Sequence, residues 1–129
     1  MIERYARKEI KDIWSEKNKY KIWLDIEIAA SEAMENLKII PKGVSLKIKK
    51  KAKINVKRIH AIEDKVHHDV IAFLTSITEK VGPEGKFLHK GMTSSDVLDT
   101  CFNVQLLKAS RILNEDINGI LKVLKSKAL

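Results

Sequence analysis

Three short stretches of this sequence carry side chains able to do chemistry. Arg4-Tyr5, close to the start, sets a planar guanidinium fork suited to phosphate beside a phenolic donor. A surface arginine next to a packed tyrosine would look the same. His67-His68-Asp69 follows in the middle of the chain. Adjacent histidines on a helix project about 100° apart, so they cannot share one metal as an i, i+4 pair does. No metal site is expected there, and His68 reads either as a ligand-binding or proton-handling group or as an ordinary exposed histidine. The third stretch is Phe87-Leu88-His89-Lys90-Gly91-Met92-Thr93-Ser94-Ser95-Asp96. A glycine-bearing loop here feeds a helix start, where unpaired N–H groups and the positive end of the helix dipole favour an anion. His89 and Lys90 add charge and the hydroxyls add donors, although a plain capped helix remains open as a reading.

The elements that must position these groups are helices. Strong punctuation falls only at Pro41-Lys42-Gly43 and between Gly82-Pro83 and Gly91, dividing the chain into three helical regions. In the first, Ser15 is a candidate N-cap, and Ile22, Ile26, Ala29, Ala30, Ala33 and Leu37 recur at helical spacing. In the second, Ile59, Ile62, Val66, Val70, Phe73, Leu74 and Ile77 fall within about 120° of one continuous helical wheel. That wheel puts His68 opposite the apolar stripe. In the third, Thr93 with Asp96 forms a capping-box variant, so a helix should start there and run to the end of the sequence. At about 1.5 Å per residue it would be roughly 50 Å long. A globule of this chain length is only about 36 Å across. Such a helix needs neighbours beyond its own chain. The pattern stops at Lys127-Ala128-Leu129 without a C-cap glycine, which reads as a cut.

The chain has 129 residues, 44% apolar and 33% charged, too apolar for a disordered tail and too charged for a membrane protein. A secretory leader and a membrane span are not expected. Cys101 is the single cysteine, which fits a reducing compartment, the cytoplasm. The net charge of +8 is concentrated: Lys42 to Arg58 holds eight bases and no acid. That block could be a nucleic-acid footprint, but it lacks stacking aromatics and interleaves lysines with Val44, Leu46, Ile48, Ile54 and Val56. A solvated face is favoured, with a basic helical nucleic-acid-binding module as the alternative.

The combination resembles the N-terminal part of the adenylosuccinate lyase family, within the fumarase/aspartase superfamily. The strings that carry the resemblance are Met1-Ile2-Glu3-Arg4-Tyr5, Ile13-Trp14-Ser15, Trp23-Leu24-Asp25-Ile26-Glu27, Ile40-Pro41, His68-Asp69-Val70-Ile71-Ala72-Phe73, and His89 through Thr100. The resemblance implies an all-α fold, with residues 1–93 an N-terminal helical domain and residues 94–129 the start of a central bundle helix. It implies a C–N elimination releasing fumarate from adenylosuccinate to give AMP, and from the succinylated aminoimidazole carboxamide ribotide, without a cofactor or metal. It assigns Arg4 and Tyr5 to the substrate phosphate, His68 and Asp69 to the active site, His89 to the same cleft, and Thr93 with Ser94 to the succinyl carboxylate. It also implies a homotetramer whose sites combine several subunits. Lys90, where the family has an aromatic, stays outside this set; Met92 and His67 also depart from the family pattern. The family's second and third signature regions, which carry the proton transfers, have no match here. The 129-residue chain alone is therefore expected to be inactive.

Overall fold

A computed structural model of the chain describes residues 3–128, the side chain of Glu3 excepted. The Met1-Ile2 start of the first matching string and the final Leu129 lie outside the described residues. Six α-helices and two short 3₁₀ turns make up the described residues, with no strand among them. The all-α expectation holds. The helices are α1 (Lys8–Ile13), α2 (Glu16–Asn36), α3 (Val44–Lys51), α4 (Val56–Val66), α5 (Asp69–Val81) and α6 (Ser94–Ala128). The 3₁₀ turns are Glu3–Tyr5 and Pro83–Phe87.

Helix α2 is the axis of the fold, because its apolar face meets α1, α3, α4 and α6. Ser15 caps it as expected, its hydroxyl accepting from the Asn18 N–H at 3.3 Å. Tyr20 and Trp23 on α2 and Phe73 on α5 close into a fully buried aromatic cluster. Tyr20 stacks on Phe73 with centroids 5.8 Å apart, and Trp23 meets both rings edge-on at 5.3 and 5.4 Å. These offset and edge geometries suit the ring quadrupoles. Burial, with the facing carboxylates Glu16, Glu63 and Asp69, pushes the Tyr20 phenol up to about 12.

The middle region departs from expectation. Instead of one helix it forms two, α4 and α5, joined only by His67 and His68. His67 ends α4 in the left-handed conformation at φ 51°, and its N–H closes on the Glu63 carbonyl at 2.8 Å. His68 is extended, not helical, and its Nδ1 accepts from the Ile71 N–H at 3.4 Å as the N-cap of α5. Both histidines sit where side-chain and backbone geometry replace the missing glycine or proline; histidine is among the few residues enriched at positive φ. The wheel position given to His68 is corrected accordingly, although the imidazole is still substantially exposed.

The basic block forms α3 and the start of α4. Val44, Ser45 and Ile48 are buried, and Glu35 holds the head of α3 by accepting from the N–H groups of Gly43, at 3.0 Å, and Ser45. These N–H bonds hold the Glu35 carboxyl below its ordinary range. Two other acids neutralise part of the block. Glu84 faces Lys47 at 3.0 Å and Lys51 at 3.5 Å, and Glu79 holds Arg58 by two bonds of 3.0 and 2.5 Å. Glu84 itself sits on the 3₁₀ turn whose Gly85 has no room for a side chain: a Cβ there would stand 2.5 Å from Thr78 Cγ2.

Helix α6 starts where Thr93 and Asp96 predicted and extends over 35 residues. It runs antiparallel to α2, meeting the Ile13 carbonyl through Gln105 and the Lys19 carbonyl through Cys101. Val97, Cys101, Gln105 and Ala109 are its buried residues. Beyond Ala109 none is buried, and Leu113, Ile117, Ile120, Leu121 and Leu124 are each more than half exposed. The helix outruns its own chain, as its length required.

Two outcomes follow. Phe73→Ala removes the ring shared by Tyr20 and Trp23 and should lower unfolding stability by about 3–5 kcal/mol in a denaturant titration. Glu35, Glu79 and Glu84 all have depressed folded-state carboxyl values, so each contributes stability above the ordinary glutamate value of roughly 4.3, lost as pH falls through the lower folded value. A triple glutamine variant should show a flatter fall in thermal midpoint below about pH 4.5 than the parent chain, followed by circular dichroism.

Candidate functional site

The most constrained of the candidate residues is His89. Its loop leaves the second 3₁₀ turn at Leu88 and needs two left-handed residues before α6 can begin: His89 at φ 58° and Gly91 at φ 71°. The strain at His89 is offset by Glu27 of α2. Glu27 is 1% exposed, and its two carboxylate oxygens each accept one bond from His89. The backbone N–H donates to Oε2 at 2.7 Å, and Nδ1 lies 2.7 Å from Oε1. Nδ1 therefore faces a carboxylate oxygen, a group that accepts when ionised, and Nε2 is turned away from Glu27. The imidazole is 19% exposed, leaving its outer edge reachable. Sequence reasoning did not single out Glu27 as a site residue. The available signal was an acid one turn after Trp23 and one turn before Ser31, on the face that both bury.

Four residues on, the mouth of α6 takes its expected form. The Asp96 carboxylate accepts from the Thr93 N–H at 2.8 Å, and the Asp96 N–H returns to the Thr93 carbonyl at 3.1 Å. This uses the Thr93 N–H, while the first-turn N–H groups of Ser94 and Ser95 have no partner within the helix. Thr93 is exposed and Ser94 half-buried. His89, Thr93 and Ser94 thus belong to one loop and one helix end.

His68 and Asp69 stand at the start of α5. The His68 imidazole is engaged through Nδ1 with the Ile71 N–H, and Asp69 Oδ1 accepts from the Val70 N–H at 2.7 Å. They lie beside Tyr20, whose phenol feels Asp69, whereas His89 meets α2 at Glu27. At about 1.5 Å per residue those two levels are roughly 10 Å apart along α2.

Arg4 and Tyr5 form an exposed pair, the guanidinium 4.8 Å from the ring centroid. The arm that bears them is tied down by Arg7, which holds both oxygens of Asp116 on α6 at 2.6 and 2.7 Å. Asp116 lies roughly 33 Å along α6 from Ser94 at the same helical rise. A single chain therefore brings His89, Thr93 and Ser94 together, sets His68 and Asp69 some way along the core, and leaves Arg4 and Tyr5 on an arm tied about two-thirds of the way along α6. In the basic block, Lys47, Lys51 and Arg58, three of its eight bases, already face carboxylates.

Capping accounts for one of His68's bonds and can be measured apart from any ligand role. His68→Ala should cost about 1 kcal/mol of stability, and His68→Asn should restore most of it. Denaturant titration of the three chains checks this.

No protein-family model matches the chain. It is 44% identical over 124 residues to adenylosuccinate lyase from Thermotoga maritima, a match covering 96% of this chain and 29% of that enzyme. Its fold superposes on a fumarate lyase from Mesorhizobium sp. BNC1 with a TM-score of 0.83 at 21% identity, covering 91% of this chain and 28% of that one. The chain thus spans less than a third of the length of either relative. In sequence the chain is thus similar to a segment of adenylosuccinate lyase, and in fold to a segment of a helical fumarate lyase.

Proposed function

We propose that the chain supplies the N-terminal segment of a purine-biosynthetic lyase that eliminates fumarate from adenylosuccinate to give AMP, and performs the parallel step on the succinylated aminoimidazole carboxamide ribotide. The observation that carries this reading is 44% identity across nearly the whole chain, joined to a lyase fold. In it the α6 mouth, through Thr93, Ser94 and the free first-turn N–H groups, meets a succinyl carboxylate. His89 lines the same cleft, His68 and Asp69 contribute from α5, and Arg4 with Tyr5 takes the phosphate. Proton removal beside the carboxylate and protonation of the leaving nitrogen fall to groups outside this chain. No resident cofactor or metal is called for.

The distance between Arg4 and the α6 mouth supports a site shared among copies, and the bare apolar half of α6 supports a homo-oligomer, a tetramer in the complete enzyme. A cytoplasmic location fits the single, buried Cys101. No described helix is long and apolar enough to cross a membrane. The nucleic-acid alternative is not favoured, given the carboxylates that pair with the basic block.

A chimera tests the reading directly. This chain replaces the matching segment of the Thermotoga maritima enzyme, and fumarate release from adenylosuccinate is followed by absorbance. A folded chimera should release fumarate, and Ser94→Ala in it should lower kcat/KM by on the order of 10²-fold. The purified 129-residue chain alone should release none. A folded chimera with no activity would sink the proposal.

A further inference from the structure

We infer that Glu27 is a positioning residue that sets the tautomer of His89 and thereby decides what His89 can bind. A buried carboxylate presents two acceptors to two donors, the His89 backbone N–H and Nδ1–H, each at 2.7 Å. The backbone N–H can only donate, so one oxygen is committed to it. The other oxygen then selects the Nδ1–H form of the ring. Glu27 is 1% exposed, and among the described residues nothing but His89 bonds its carboxylate. Leaving either oxygen unpaired there would be costly, which makes the selection strong.

In this form neutral His89 offers its ligand a lone pair on Nε2. It accepts from a hydroxyl or an amine and gives an anion no hydrogen bond there. The Ser94 end of α6 has the opposite character, offering N–H and hydroxyl donors. The two halves of the loop therefore sort the groups of a ligand, anion toward the helix and donor toward the imidazole. Only this last step, the identity of the ligand, rests on the proposed lyase function.

The swap Glu27→Gln gives a sharp contrast. An amide has one acceptor and one donor. The committed backbone N–H takes the carbonyl oxygen, so the amide NH₂ faces Nδ1, which must then lose its proton. The tautomer reverses to Nε2–H. Glu27→Asp keeps both acceptors on a shorter arm and should retain the Nδ1–H form.

The experiment is a long-range ¹H–¹⁵N correlation spectrum of the imidazoles in the 129-residue chain, recorded at a pH where all four histidines are neutral. His89 should show the Nδ1–H pattern. His68, whose Nδ1 accepts from the Ile71 N–H, should show Nε2–H in the same spectrum. In folded Glu27→Gln the His89 pattern should invert. Finding Nε2–H at His89 in the parent chain overturns the inference, as does an unchanged pattern in the folded glutamine variant. Should that variant not fold, the parent spectrum alone decides. No substrate enters the measurement, so an inactive chimera leaves it standing, and a wrong tautomer leaves the lyase reading standing.

Discussion

A carboxylate sealed in a helical core must be satisfied from within, and Glu27 meets that demand through one residue. Its oxygens take the main chain and side chain of His89, 62 positions away in sequence. The cost of burying an unpaired charge is several kcal/mol, more than the 1–3 kcal/mol typical of left-handed strain at a non-glycine residue. The balance explains why His89 tolerates φ 58° and why the loop leads into α6 as it does. Remove the carboxylate and nothing in the local sequence compels that bend. The tie joins the core axis α2 to the mouth of the longest helix, so the packing of the aromatic cluster and the position of Ser94 are coupled through it.

The same logic governs the other interior joints. Where the chain reverses between α4 and α5, backbone groups freed by the break are recovered locally: the His67 N–H returns to α4 and the His68 ring accepts from α5. Where α3 begins, Glu35 recovers the N–H groups of Gly43 and Ser45. At these joints the orphan groups of the helix ends are recovered either by a side chain or by a backbone bond across a short turn. The exposed end of α6 needs no such device.

The sequence made some of this legible and hid the rest for physical reasons. Ser15 and the Thr93–Asp96 pair announce helix starts because capping is local chemistry, decided within four residues. The excess length of α6 was readable because rise per residue and globule size are both general. The break at His67 was not, because Val66 and Val70 keep helical spacing across it and no glycine or proline marks it. Helix α1 escaped notice because only Ile13 of its six residues is buried, too little to make a periodic signal. His89, Thr93 and Ser94 were found together because they share one contiguous stretch. Their partner Glu27 was missed because its role depends on tertiary contact, and a glutamate among apolar neighbours reads equally well as a solvated edge.

The separation between the arm and the helix mouth bears directly on how such a chain can act. Arg7 pins the arm to Asp116, so Arg4 cannot swing to Ser94 without breaking that pair. In the proposed reading, a nucleotide bearing both a phosphate and a distal carboxylate needs both ends held at once. One copy sets the arm's anchor at Asp116 roughly 33 Å along α6 from Ser94. Two copies with α6 helices side by side and antiparallel, Asp116 of one level with Ser94 of the other, would bring the arm of one toward the mouth of the other.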